Sequence, residues 1–175
     1  MFLRDCVMYM AIFGIFSVTW FGWAQENPKK SWRKYLGLAA VAGLLVGSAG
    51  IYLSVVNWHE PTALADVSTY KSYLFFVYLE FFLAGIGALI LIKRKKAAYV
   101  APWVAFVVGI HFFWLKPIFA DAALYILAII LILVSITSLW ISKKLDVAAS
   151  AITGIGAGTA LFCFAILGLV RYLMI

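Results

Sequence analysis

Residues 72–92 read SYLFFVYLEFFLAGIGALILI, and the next four residues are Lys93-Arg94-Lys95-Lys96. A helix rises about 1.5 Å per residue, so roughly 20 apolar residues span the ~30 Å hydrocarbon core of a bilayer. The quoted stretch has that length, carries one charged residue, Glu80, and stops at a cluster of four cations. It is the pattern of a membrane-spanning helix anchored at one interface. Working outward, similar apolar runs lie at about 5–24 and 35–56 upstream, and at about 97–115, 119–141 and 147–173 downstream. The last is long enough to tilt. The predicted fold is an all-α, polytopic membrane bundle of six transmembrane helices, forming one domain over residues 1–175. Short links make sequence neighbours antiparallel neighbours in space.

Composition agrees with this. The chain is 66% hydrophobic and 12% charged, with a mean hydropathy of +1.06, whereas a soluble domain is about half apolar and a quarter charged. The net charge of +7 sits in short clusters between apolar runs, which fits the anionic inner leaflet of a membrane. No basic, aromatic-interleaved polar surface exists to follow a phosphate backbone, so nucleic acid is not an expected partner. Cys6 and Cys163 are too few for a disulfide framework or a cysteine metal site. Both are expected near the outer ends of their helices, as small apolar side chains or as one bridge. The first helix is read as retained, because no basic leader segment and no small-residue cleavage site accompany it.

The cations orient the bundle. The first loop carries Lys29, Lys30, Arg33 and Lys34; the third carries Lys93 to Lys96; the fifth carries Lys143 and Lys144. These odd-numbered loops hold ten of the fourteen Lys and Arg residues, and Arg4, Lys71, Lys116 and Arg171 are scattered singly. The positive-inside rule then puts the odd loops in the cytoplasm, and both termini and the even loops outside. The expected location is a bacterial cell membrane, with both termini extracytoplasmic. Trp32, Trp58, Trp103, Trp114 and Trp140 fall near helix ends, where indoles anchor helices at the interface.

Small residues recur at helix-packing spacing: Gly43 and Gly47, Ala84 and Ala88, and Ser150, Gly154 and Gly158. Such positions let helix backbones approach closely, within one chain or across a homodimer or a membrane-protein partner. The run Gly154-Ile155-Gly156-Ala157-Gly158 follows no strand, so it is a packing face and not a dinucleotide fingerprint.

Ionisable groups inside a membrane helix cost about 2.5–3.5 kcal/mol at its centre and mark functional candidates. Glu80 lies eight residues from the outer end of the third run, about 12 Å deep. Tyr73, Ala84 and Gly87 share its face. His111 lies four residues from the outer end of the fourth run, within reach of Glu80 across the tight hairpin at Lys93–Lys96. A carboxylate beside an imidazole makes a pair whose charge depends on pH; it also serves as a buried hydrogen bond fixing helix register. Lys116, Asp121 and Tyr125 gather on the same outer side, with Tyr52 and Trp58 near the second loop. Together these residues are expected to line one cavity for a small ligand, open to the outside.

No HExxH motif, nucleophile elbow, Walker loop, haem-type histidine pair or filter-like glycine loop occurs, and no cofactor or metal is expected. In length and helix number the chain is similar to the substrate-binding subunits of energy-coupling-factor vitamin transporters. It departs from them in charge pattern, since that family keeps its termini in the cytoplasm, and no motif carries across. The leading functional expectation is binding or transport of a small molecule entering from outside, proton-linked through Glu80 and His111. The alternative is an accessory membrane protein that binds a partner through its glycine faces, and a third is an intramembrane enzyme using Glu80 and His111 as acid and base.

Overall fold

A computed structural model describes residues 2–175. Among the described residues there are six α-helices and no strands: α1 (Leu3–Trp23), α2 (Arg33–Val56), α3 (Val67–Lys93), α4 (Val100–Phe119), α5 (Ala123–Leu145) and α6 (Ala149–Leu173). Short 3-10 turns at Lys30–Trp32 and Ala97–Tyr99 lead into α2 and α4. All six helices are long and apolar enough to cross a membrane. Large apolar side chains such as Leu45, Phe82, Ile126 and Ile136 are exposed around the outside, where acyl chains would cover them. The chain fits a multi-pass membrane protein.

The predicted spans hold, with three shifts. α3 begins at Val67, five residues before the expected start at 72, because the Asp66 carboxylate caps it, accepting from the Thr69 backbone N–H at 2.9 Å and from its hydroxyl at 3.1 Å. α4 runs through Pro117 to Phe119, four residues past the expected end near 115. In a last turn a proline gives up only its own N–H bond, and the helix stops instead at Ala120, whose φ is +51°. The fourth loop therefore shrinks to Ala120–Ala122, and Lys116 becomes a helical residue. α5 accordingly begins later than expected, at Ala123, and ends at Leu145 before the left-handed Asp146.

The small residues decide the packing, and they do so inside one chain. A Cβ on Gly14 of α1 would sit 2.6 Å from the backbone of Gly47 in α2, and one on Gly50 would strike Ala11 and Met10. Gly43 lies against Ser17. On the other side of α1, a Cβ on Gly154 of α6 would lie 2.5 Å from the Trp20 carbonyl, one on Gly158 2.9 Å from the Phe21 ring, and one on Gly168 2.8 Å from the Cys6 carbonyl. The Gly43/Gly47 and Gly154/Gly158 stripes are thus taken up by α1. Ala84 and Ala88 of α3 are only half-buried, and that helix makes its close approach at Gly87, against the Trp103 ring.

The core forms where α1, α4, α5 and α6 meet, around Tyr9, Phe13, Trp20, Phe112, Leu124, Leu127, Leu131, Leu161 and Phe164. The Ser135 hydroxyl ties α5 to α4 by donating to the Pro102 carbonyl at 2.7 Å. One connectivity expectation fails: α2 and α3 follow each other in sequence but do not pack as neighbours. The loop between them is pinned to the start of α1, where the buried Asp5 carboxylate accepts from the Thr62 hydroxyl at 2.6 Å and the Ala63 N–H at 3.0 Å. That anchor carries the chain past α1 and delivers α3 to α4. No residue of α3 is fully buried, so it stands at the edge of the bundle.

Candidate functional site

α3 and α4 meet in antiparallel register, Phe76 beside Trp114, Glu80 beside His111, and Gly87 beside Trp103. The Glu80 Oε2 and His111 Nδ1 atoms are 3.2 Å apart, with side-chain exposures of 17% and 6%. The Phe76 carbonyl oxygen also lies 3.2 Å from His111 Nδ1. A carbonyl can only accept, so the proton belongs on Nδ1, shared between that carbonyl and the Glu80 carboxylate. This fixes the ring's orientation and leaves Nε2 as the imidazole position that gains or loses a proton.

The pair lies farther from the helix ends than the spans in the sequence implied. With α3 starting at Val67 and ending at Lys93, Glu80 is thirteen residues from either end, at the helix midpoint, about 20 Å from each. His111 is eight residues from the end of α4 instead of four. Around the pair runs a groove of about 120 Å³ between the two helices, walled by Phe76, Leu83, Trp103, Phe106, Ile110 and Trp114. The Phe76 and Trp114 rings stack at 5.3 Å and 9°. At the opposite end of the groove the Trp103 indole N–H donates to the Leu83 carbonyl at 3.2 Å. Trp103 and Trp114, expected as interfacial anchors, are groove walls. Phe76 and Phe106 carry no polar atom and were missed. Their signal was positional: 76, 80, 83 and 87 recur at helical spacing on α3, as do 103, 106, 107, 110, 111 and 114 on α4.

The other predicted site residues do not join the groove. Asp121 faces α6, where both its oxygens take the Arg171 guanidinium, at 2.6 and 3.2 Å, and one accepts from the Ala123 N–H at 3.0 Å. That ion pair lines a separate cavity of about 350 Å³ with Cys6, Ala120, Met174 and Ile175. Arg171 was not singled out as a site residue, because a partner fifty positions away in sequence leaves no local signal. Lys116 lies 5.3 Å over the Tyr125 ring and does not pair with Asp121. Trp58 stacks beneath the Arg4 guanidinium at 4.0 Å. Tyr52 is exposed on α2. Tyr73 packs edge-on against Phe119, whose ring also meets Tyr9. The one outward-opening cavity expected from sequence is therefore two places: an apolar groove midway along α3 holding Glu80 and His111, and a second cavity at the end that bears the termini. Cys6 is buried beside the second, Cys163 is exposed ten residues before the end of α6, and the two are unpaired.

Comparison with protein-family models, with curated protein sequences and with solved structures finds nothing similar to this chain. The chemistry must be read from its own residues. Among the described residues no three His, Cys, Asp or Glu side chains come together as a metal site. What the groove offers is a carboxylate and an imidazole bonded to each other, in an aromatic setting.

Proposed function

We propose that this protein is a small integral membrane protein that binds, and in its membrane transports, a small molecule in the α3–α4 groove, with the Glu80–His111 pair carrying a linked proton. The observation behind this reading is the 3.2 Å contact between Glu80 and His111 at the midpoint of α3. Ionisable side chains at that depth are costly and are rarely kept without use. Aromatic walls with a few convergent polar groups are the usual form of a small-ligand site. The single-sided basic loops favour both termini outside the cell and the basic loops in the cytoplasm.

The test replaces Glu80 and His111 by Gln, singly and together, in the purified protein. Thermal stability and groove-tryptophan fluorescence are followed from about pH 5 to 8, where an imidazole titrates. The reading expects the wild type to change across that range and the double variant to be flat. A wild type and double variant with the same profile would sink it.

A second reading is favoured by a different observation: α3 packs on α4 and buries none of its residues completely. An accessory protein that receives a partner's helix along α3 has this form. It expects cross-linking from Phe75 or Phe82 to another membrane protein and indifference to Glu80→Gln. The glycine faces, which first motivated that reading, are occupied by α1.

A further inference from the structure

We propose that the ligand of the α3–α4 groove is a small organic cation with apolar substituents, an amine or quaternary ammonium, taken up in exchange for one proton. This rests on the preceding reading that the groove binds a small molecule, and it names the class.

The argument begins with charge balance. A carboxylate far from water needs a positive charge beside it. Among the described residues, the salt bridges are Glu80 with His111 and Asp121 with Arg171; neither Lys nor Arg pairs with Glu80. The other titratable or charged groups that face α3 and α4 are already engaged or neutral. Tyr73 packs against Phe119, Tyr9 of α1 against the same ring, and Lys116 lies over Tyr125 of α5. Asp121 and Arg171 neutralise each other. The groove is therefore balanced in one of two ways: by a proton held on the Glu80–His111 pair, or by a cation that enters.

The walls favour the second occupant as well as the first. The stacked Phe76 and Trp114 rings and the Trp103 and Phe106 rings line the groove that holds the carboxylate. Aromatic faces attract cations, tryptophan most strongly, and the attraction grows when water is excluded. A metal ion would find a single carboxylate and, beside it, only the Phe76 carbonyl oxygen already facing His111, which is a poor site for a hard cation that takes six or more oxygens. An organic cation carries its own apolar cover, needs no coordination shell, and matches rings plus one carboxylate. The groove of about 120 Å³ suits a small head such as trimethylammonium, with any longer substituent lying along the open side of α3 and α4.

The exchange balances. With one proton on the pair, as carboxylic acid and imidazole or as carboxylate and imidazolium, the groove is neutral. When the cation binds, that proton leaves to water, Glu80 remains as carboxylate, and His111 remains neutral with its proton on Nδ1. One positive charge enters and one departs.

The experiment uses the purified full chain in detergent, titrated with benzyltrimethylammonium and with its uncharged carbon analogue, neopentylbenzene. Tryptophan fluorescence reports binding, and a pH indicator in weak buffer reports protons. Trp103→Phe and Trp114→Phe assign the signal to the groove. A saturable signal for the cation, about one proton released per cation bound, and an affinity at least tenfold above that of the neutral analogue are expected. Glu80→Gln should abolish proton release and lower cation affinity at least tenfold. If Glu80→Gln fails to fold, Phe76→Leu leaves the pair intact and should still weaken the cation several-fold; unchanged affinity there overturns the proposal. Equal binding of both probes without proton release overturns the cation assignment and leaves the groove as a binding site. Silence from both probes overturns the groove reading with it.

Discussion

Three polar side chains of this bundle differ in what they lose when changed. His111 is nearly buried and bonded to Glu80 and to the Phe76 carbonyl. His111→Ala strands a carboxylate and should cost about 1–3 kcal/mol, the range for leaving a buried polar partner unmade, whereas Glu80→Gln keeps an acceptor for Nδ1–H and should cost less. Thermal melts of the two variants check the order. Arg171→Met strips Asp121 of two charge-assisted bonds and leaves it only the Ala123 N–H. A loss of about 1–3 kcal/mol is expected, smaller with Asp121→Asn, which still accepts from the guanidinium. Asp66 stands at the aqueous edge of α3, where the Thr69 backbone N–H and hydroxyl hold its carboxyl below the ordinary value of 3.8. A depressed carboxyl stabilises the folded state fully above its ordinary value and loses that contribution as pH falls through the lower one. Protection of the first-turn amides of α3, measured against their intrinsic exchange rates, should fall in acid, and Asp66→Ala should remove that pH dependence.

At the scale of the helices, glycine placement separates tight contacts from bare surface. Gly47→Leu and Gly50→Val push side chains into the α1 backbone and should destabilise the bundle by about 1–3 kcal/mol or more, as overpacking does. Gly85→Ala on α3 meets nothing within 4 Å and should be neutral or slightly stabilising, since alanine is the better helix former. Denaturation followed by circular dichroism in detergent distinguishes the two classes. Gly87→Ala is a third kind. Its nearest neighbours are atoms of the Trp103 ring, so it should move that indole, with a shift in fluorescence and little loss of helix.

For the molecule as a whole, the two ends differ in charge. Lys29 over Trp32, Lys34 over Tyr35 and Lys144 over Trp140 place cations on aromatic rings at the basic end, while the opposite end holds the Asp5 anchor and the Asp121–Arg171 pair. With both termini outside, as the loop charges favour, a periplasmic alkaline phosphatase fused after Ile175 should be active and a fluorescent protein fused there should be dark. The reverse pattern would invert the topology.

How much of this was readable beforehand follows from the range of each interaction. The run at 72–92, its basic stop and its five counterparts determined the helices, because a bilayer imposes length and apolarity on each span separately. Sequence also picked out Glu80, His111 and the glycine stripes, since each stands against an apolar background. It could not say that the stripes close on α1, that α3 docks on α4 and leaves α2, or that Asp121 turns to Arg171. Those outcomes depend on which helix faces meet, and small or aromatic faces fit more than one neighbour. Nor could it set the depth of Glu80: a cap at Asp66 and a proline tolerated in a last turn moved the ends of α3 and α4. Only the assembled bundle sets Glu80 and His111 in an aromatic groove midway along α3, apart from the Lys116 and Asp121 rim they were expected to join.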